Sequence, residues 1–133
     1  MMAHKRSILC VLALVGVLVV GLAGCRKEDG GLGGRVTIGP LAPVAQAGAA
    51  EPTPDPAVYA ARQVVVFDAK SGAEVLRAGI DTSGQYRVAL PVGSYVVDIN
   101  HAGIDTASGL PLTVEIRANE ETRVDIAIDT GIR

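Results

Sequence analysis

The stretch that decides the fold is 79–100, GIDTSGQYRVALPVGSYVVDIN. Apolar and polar side chains alternate along 85–90 and again along 95–99, which predicts two β-strands that each bury one face. Tyr86 and Tyr95 fall on the apolar faces, so we expect both rings in the core. The two strands follow one another closely and predict an antiparallel hairpin.

Turn sequences flank the first of these strands on both sides. Segment 90–93, LPVG, is typical of a type I turn in which Pro91 sets φ and Gly93 adopts a positive φ. Segment 81–84, DTSG, predicts a second turn, with the Asp81 carboxylate accepting from backbone amides and Gly84 at positive φ.

Five further strands are predicted in the rest of the chain. They are 35–38, 62–68, 74–77, 112–117 and 123–129. Turn residues separate them at regular spacing, and none has helical periodicity. The pattern predicts an all-β fold, a seven-stranded antiparallel β-sandwich spanning 35–133. Its core would be mostly valine, isoleucine and leucine, with Phe67 as a third large member.

Residues 1–24 have the pattern of a secretory signal peptide. Two basic residues, Lys5 and Arg6, precede the apolar run 8–21, and small residues then lead to Cys25. The alternative is a membrane-spanning anchor, although 8–24 lies at the short end of the lengths that cross a bilayer.

Segment 22–25, LAGC, resembles a bacterial lipobox. The resemblance implies cleavage before Cys25 and attachment of a diacylglyceryl group to its thiol. We then expect 25–34, CRKEDGGLGG, to comprise the lipidated cysteine and a flexible tether. The protein would be anchored in the cell membrane or outer membrane, on its extracytoplasmic face.

Composition excludes several kinds of site from the processed chain. Cys10 lies in the signal peptide and Cys25 carries lipid, so no thiol remains for a disulfide, a thiolate metal site or a nucleophile. Loss of Lys5 and Arg6 leaves ten basic residues against 14 acidic ones, a formal charge of −4. That balance argues against a nucleic-acid-binding surface.

Segment 40–57 is rich in proline and alanine and predicts a long loop. Two interpretations stay open, a passive surface loop and a recognition loop. If it is a recognition loop, the contact residues would be Pro40, Pro43, Val44, Pro52, Pro54, Pro56 and Tyr59.

With the strands placed, 64–100 resembles the carboxypeptidase regulatory-like domains of bacterial surface proteins. The matching motifs are 81–86 (DTSGQY) and 90–95 (LPVGSY), and 34–36 is similar to the family's opening strand. The resemblance implies a transthyretin-like (prealbumin-like) seven-stranded sandwich. It implies no catalytic residues.

A narrower resemblance is to small bacterial lipoproteins of this fold, carried by 39–44 (GPLAPV) and 129–133 (DTGIR). Such relatives tend to have a cysteine before the second proline and another near the end of the loop. Here those places hold Ala42 and Ala50, so the disulfide that the resemblance implies is absent.

The polar residues give little support for a catalytic site, a metal site or an internal covalent bond. His101 would need a nucleophile such as Ser71, Ser83, Ser94 or Ser108, all in turn contexts, and we expect a solvated histidine. The aspartates lack the spacing of a calcium loop, so we expect them to cap turns: Asp68, Asp81, Asp98, Asp105, Asp125 and Asp129. An internal isopeptide bond is not expected, because Lys70 and Asn119 both lie in predicted turns.

The sequence thus predicts a non-enzymatic lipoprotein without a cofactor or metal, acting as an interaction or structural module on the cell envelope. Its partners would be the membrane, through Cys25, and an envelope protein, but not nucleic acid. The alternative function is a carbohydrate-binding β-sandwich module. Sugar sites use exposed aromatic platforms, and Tyr59 is the plausible one here.

Overall fold

The computed structural model describes residues 27–42, 48–50 and 52–132. They form two β-sheets packed face to face, with one short helix. The strands are β1 (Asp29–Gly39), β2 (Gln63–Asp68), β3 (Glu74–Gly79), β4 (Gln85–Pro91), β5 (Gly93–Ile99), β6 (Thr106–Ala107), β7 (Leu112–Ile116), β8 (Glu121–Arg123) and β9 (Ile126–Asp129). The helix α1 spans Pro56–Ala60. The prediction of a β-sandwich is confirmed.

One sheet has five strands in the order β4-β1-β9-β6, with β8 also paired to β1, and the other has four in the order β3-β2-β5-β7. Valine, isoleucine and leucine fill the core between them, as predicted. Tyr86 and Tyr95 are buried as expected, but Phe67 is only half-buried and lies outside the core.

The predicted tether is wrong over most of its length, because β1 begins at Asp29 and not at Arg35. Residues 29–35 pair with β4, and 31–33 pair with β8 on the other side. The glycines permit this. A Cβ on Gly30 would lie 2.2 Å from the Arg117 carbonyl oxygen, so only a bare backbone fits beneath that chain segment.

The predicted hairpin of β4 and β5 is also wrong, because these strands belong to different sheets. The Val92 N–H donates to the Glu28 carbonyl at 3.0 Å, and Gly93 is not among the residues with positive φ. Segment 90–93 therefore crosses from one sheet to the other. Alternation identified the buried face of each strand, but a strand in either sheet of a sandwich buries one face.

The turn at 81–84 forms as predicted. The Asp81 carboxylate accepts from the N–H groups of Ser83 and Gln85, both at 2.9 Å, and Gly84 has a φ of 80°. These bonds, with the Ser83 hydroxyl contributing most, hold the pKa of the Asp81 carboxyl below its ordinary value. This turn also connects the two sheets.

The last predicted strand, 123–129, is present as β9 only from Ile126, and its first residue, Arg123, ends the separate strand β8. Both β8 and β9 run parallel to β1, so the fully antiparallel prediction is wrong. Nine strand segments are present in the described residues, in place of the seven predicted. Two elements were not predicted, β6 and α1. The helix starts where the Asp55 carboxylate caps the Ala57 N–H at 2.8 Å, with Pro56 in the first turn.

One backbone and two side-chain hydrogen bonds replace the missing strand contacts between β8 and β9. The Val124 N–H donates to the Gly33 carbonyl at 2.9 Å, and its carbonyl accepts from the Tyr86 hydroxyl at 2.7 Å. The Asp125 carboxylate accepts from the Arg35 N–H at 2.8 Å. Burial raises the pKa of Tyr86 to about 12, and the charge of Asp125 adds to the shift. Both backbone groups of Val124 are thus hydrogen-bonded at the break.

The registers define two ends of the sandwich. At the N-terminal end, Asp29 lies beside Pro91, and the Asn119 N–H donates to the Asp29 carbonyl at 3.0 Å. At the opposite end, which we call the loop end, Gly39 lies beside Asp129. The loop end carries 40–42, α1 and the connections 100–105 and 130–132. Among the described residues, no helix is long and apolar enough to cross a bilayer.

We predict that Gly34→Ala strongly destabilises the fold. A Cβ there would lie 1.9 Å from the Val124 carbonyl oxygen, so the backbone of the β8–β9 break must move. We expect a loss of at least about 1–3 kcal/mol in the free energy of unfolding, measured by urea denaturation. Gly79→Ala is the matched control, since a Cβ there meets nothing within 4 Å. Equal costs for the two variants would contradict this account of the break.

Candidate functional site at the loop end

The predicted contact residues lie in different environments. Pro43 and Val44 fall outside the described residues, and so does Cys25. Pro52 is exposed and Pro54 half-buried, and Pro56 is an exposed residue of α1. Pro40 is half-buried, and its carbonyl accepts from the hydroxyl of the buried Thr130 at 2.5 Å. The described beginning of the predicted loop is therefore bonded to the end of β9.

Tyr59 does not form an exposed platform, contrary to the prediction. Its relative exposure is 8%, and it belongs to the core. A Cβ on Gly84 would lie 2.7 Å from the Val36 carbonyl oxygen and 3.2 Å from the Tyr59 ring, so glycine is needed where they meet. The reason is α1, whose single turn directs Tyr59 inward. Because Tyr86 and Tyr95 are buried too, no tyrosine of the chain is available to stack on a sugar.

The centre of the loop end is an ion pair between Arg62 and Asp105. The guanidinium donates to both carboxylate oxygens, at 2.6 and 3.1 Å, and also to the Val58 carbonyl at 2.9 Å. The side chains are only 15% and 5% exposed. This bidentate pair ties the connection after β5 to the segment between α1 and β2. The two residues are far apart in sequence, and Asp105, which was expected to cap a turn, pairs with this arginine instead.

Asn100 and His101 add a second set of bonds. The Asn100 amide accepts from the Gln63 N–H at 3.2 Å and donates to the Ala61 carbonyl at 3.3 Å. His101 has a φ of 47°, and its Nε2 lies 3.1 Å from the Asp98 carboxylate. Its Nδ1 lies 3.5 Å from the Asp105 carbonyl oxygen. These bonds hold 100–105 against the sandwich.

The environment of His101 favours its protonated form. The hydrogen bond to Asp98 raises the pKa of the imidazole above 6.5, and the Asp105 carbonyl adds to the effect. The side chain is 55% exposed, which agrees with the predicted solvated histidine. No contact brings His101 to a serine hydroxyl in the described residues. The hydroxyl groups of Ser71 and Ser83 donate instead to the carboxylates of Asp68 and Asp81.

The turn-capping prediction is confirmed for Asp68 and Asp81. The Asp68 carboxylate accepts from the N–H groups of Lys70 and Ser71 at 2.9 and 2.7 Å. Asp129 accepts from the Gly131 N–H at 2.8 Å. In 27–42, 48–50 and 52–132, no three His, Cys, Asp or Glu side chains come together as metal ligands would.

Apolar side chains are exposed beside the buried ion pair. Ile104 is 72% exposed and lies against Gly131, where a Cβ would come within 2.6 Å of its Cδ1. Ile132 is 37% exposed. We call these two isoleucines the apolar tip of the loop end. Ile104 was the one signal available in the sequence, an isoleucine within an otherwise polar loop.

We predict that Arg62→Met destabilises the protein by about 3–5 kcal/mol, because it leaves the Asp105 carboxylate buried without a partner. Arg62→Met with Asp105→Leu should recover most of that loss. The control is Arg77→Met, whose pair with Glu74 is 46% and 40% exposed, so its cost should be much smaller. Urea denaturation measures all three variants. A cost for Arg62→Met no larger than that of the control would show that the pair is dispensable.

We also predict that His101 makes stability depend on pH. Its pKa is higher in the folded state, so it stabilises the fold below the unfolded value near 6.5. That contribution is lost as pH rises through the folded pKa. His101→Asn should remove this dependence, because asparagine tolerates positive φ but does not titrate. Urea denaturation midpoints measured at a series of pH values test this pH dependence, and an NMR titration of the His101 ring gives its folded-state pKa. A ring pKa at or below 6.5 would contradict the Asp98 contact.

Comparison with known proteins leaves the family of the chain open. No family model and no curated protein matches it. Three solved structures are similar: a DUF3823 family protein from Parabacteroides merdae (TM-score 0.46, 16% identity, 77% of this chain), the minor pilin GBS52 of Streptococcus agalactiae (0.49, 13%, 77%) and a variant of BcpA, the major pilin subunit of Bacillus cereus (0.39, 16%, 74%). This chain spans 46%, 45% and 29% of those chains.

Proposed function

We propose that this chain is a lipid-anchored lipoprotein of the cell envelope, without enzymatic activity, whose β-sandwich presents its loop end to an envelope protein. The observation that carries the proposal is the position of the two ends. The segment that follows Cys25 enters the sandwich at one end, and the predicted contact loop leaves β1 at the other.

The short link to Cys25 supports a fixed orientation. Only Arg26, Lys27 and Glu28 stand between Cys25 and β1. Even at full extension, the Cα atoms of Cys25 and Asp29 are then at most about 14 Å apart. With a diacylglyceryl group on Cys25, the N-terminal end would rest close to the lipid headgroups. The loop end would point away from the membrane by the length of the sandwich.

The surface chemistry of the loop end suits protein contact. The apolar tip, Ile104 and Ile132, presents two aliphatic side chains to solvent, and burying them against a partner would remove apolar area from water. The scaffold here is the Arg62–Asp105 pair beside Ile104. A connection held in this way loses little conformational entropy on binding.

No separate carbohydrate-binding function is proposed. That alternative depended on Tyr59 as an aromatic platform, and Tyr59 is a core residue. Hydroxyl-rich sugars bind through stacking as well as hydrogen bonds, and the apolar tip is aliphatic.

The proposal predicts that protein contacts arise from one end of the sandwich. A photo-crosslinking amino acid at Ile104 in the full-length lipidated protein should capture the same envelope protein reproducibly in native membranes. The same group at Lys70, an exposed turn residue beside the start of β5 at the N-terminal end, is the positional control and should not capture it. Mass spectrometry identifies the adducts.

Cys25→Ser is the second control for the same experiment. It should move the protein into the soluble fraction and abolish the Ile104 adduct. Two results would overturn the proposal. One is unchanged membrane retention of Cys25→Ser, and the other is an adduct that forms from Lys70 but not from Ile104.

A further inference from the structure

The outer face of the five-stranded sheet carries a furrow with a glycine floor. Gly31 and Gly33 lie on the solvent side of β1, where other residues would place a side chain. The register puts Arg87 of β4 on one side of Gly33 and Arg123 of β8 on the other. Gly33 carries no side chain, and the Glu121 carboxylate and the Arg87 side chain cover it, 3.2 and 3.5 Å from where its Cβ would be. We call the surface between the two arginines the arginine furrow.

A third arginine closes one end of the furrow. Arg35 follows Gly33 by two residues on the same face of β1 and lies beside Gln85 of β4. The three arginines and Gln85 line one pocket of about 220 Å³. That volume admits a single small polar group. Basic residues are outnumbered in this chain, so three around one pocket form a local exception.

A carboxylate of the protein already occupies part of this space. Glu121 extends over β1, with its Oε1 3.2 Å from where a Cβ of Gly33 would be, and its Oε2 forms an ion pair with the Arg87 guanidinium at 2.6 Å. The furrow therefore accommodates an oxyanion. The contact is exposed, with side chains 74% and 48% accessible, so Glu121 can leave it at little cost.

The other two arginines differ in their pairing. Arg123 contacts the Asp125 carboxylate at 3.1 Å, and that carboxylate also accepts from the Arg35 N–H. These contacts, the backbone bond first, hold the pKa of the Asp125 carboxyl below its ordinary value. The Arg35 side chain makes no ion pair with the described residues. Three positive charges thus face two negative ones, and displacement of Glu121 leaves a surplus of two.

We propose that the arginine furrow is an oxyanion-binding site for a carboxylate or phosphate group, and that Glu121 is its internal competitor. The incoming group takes the place of the Glu121 carboxylate beside Arg87 and gains Arg35 and Arg123 as further donors. Planar guanidinium groups suit both carboxylate and phosphate. Past Gly31 lies a wider groove that Asp29 and Glu120 border, so it has room for an uncharged remainder of the ligand.

The test is an NMR titration of the folded sandwich within the full chain, with inorganic phosphate and with glucuronate at low ionic strength. Chloride at equal ionic strength corrects for general screening. Saturable shifts of the Gly33, Arg35 and Gln85 amides are expected. The two titrations show whether the site prefers phosphate or carboxylate.

Variants separate this site from unspecific binding. Glu121→Gln should tighten binding by about fivefold, the factor that corresponds to an exposed ion pair of about 1 kcal/mol. Arg35→Ala with Arg123→Ala should abolish the saturable shifts while the rest of the spectrum is retained, since both side chains are exposed. Arg77→Ala, an exposed arginine of the other sheet, is the matched control and should change nothing.

Three outcomes would overturn the proposal. The first is the absence of saturable shifts with both anions. The second is unchanged or weaker binding by Glu121→Gln, which would remove Glu121 from the site. The third is an equal loss of binding in Arg77→Ala, which would make the effect one of overall charge.

Discussion

The fold depends on how closely three backbone segments approach one another around Gly34. The Val124 carbonyl lies where a side chain at this position would be, and it accepts the buried Tyr86 hydroxyl. That approach lets the chain break between β8 and β9 while both remain paired to β1. The Asp125 carboxylate completes the pairing by accepting from the Arg35 N–H. One absent side chain thereby determines the course of three strands.

Features that depend on neighbouring residues could be predicted from the sequence. The contacts between distant segments could not. The turn with Asp81 and Gly84 and the burial of Tyr86 follow from neighbouring residues, and the structure has them. Sheet membership does not follow, because alternation is the same for strands in either sheet. The glycine-rich composition of 30–34 predicted a flexible tether. These residues form a strand instead, because other backbone segments lie against them.

The candidate sites show the same division. The sequence predicted an exposed Tyr59, because no sequence pattern indicated the single helical turn that buries it. Its burial removes the aromatic platform. Arg62 and Asp105 are 43 residues apart in sequence, yet they form a bidentate ion pair in the fold. The arginine furrow joins residues from three strands, two of them parallel, so only the register brings its members together. The two surfaces are separate, one at the tip of the sandwich and one on its side.

The pairing of β1 also has a kinetic consequence. This strand is synthesised first, but its partners are β4, β8 and β9, and the last of these ends at Asp129. The four-stranded sheet draws only on residues 63–116 and has all its strands earlier. Contacts between distant segments form slowly, so the edge of β1 that pairs with β8 and β9 stays unpaired longest. The glycines of β1 give it a weak strand propensity, which disfavours pairing of that edge with another strand in the meantime.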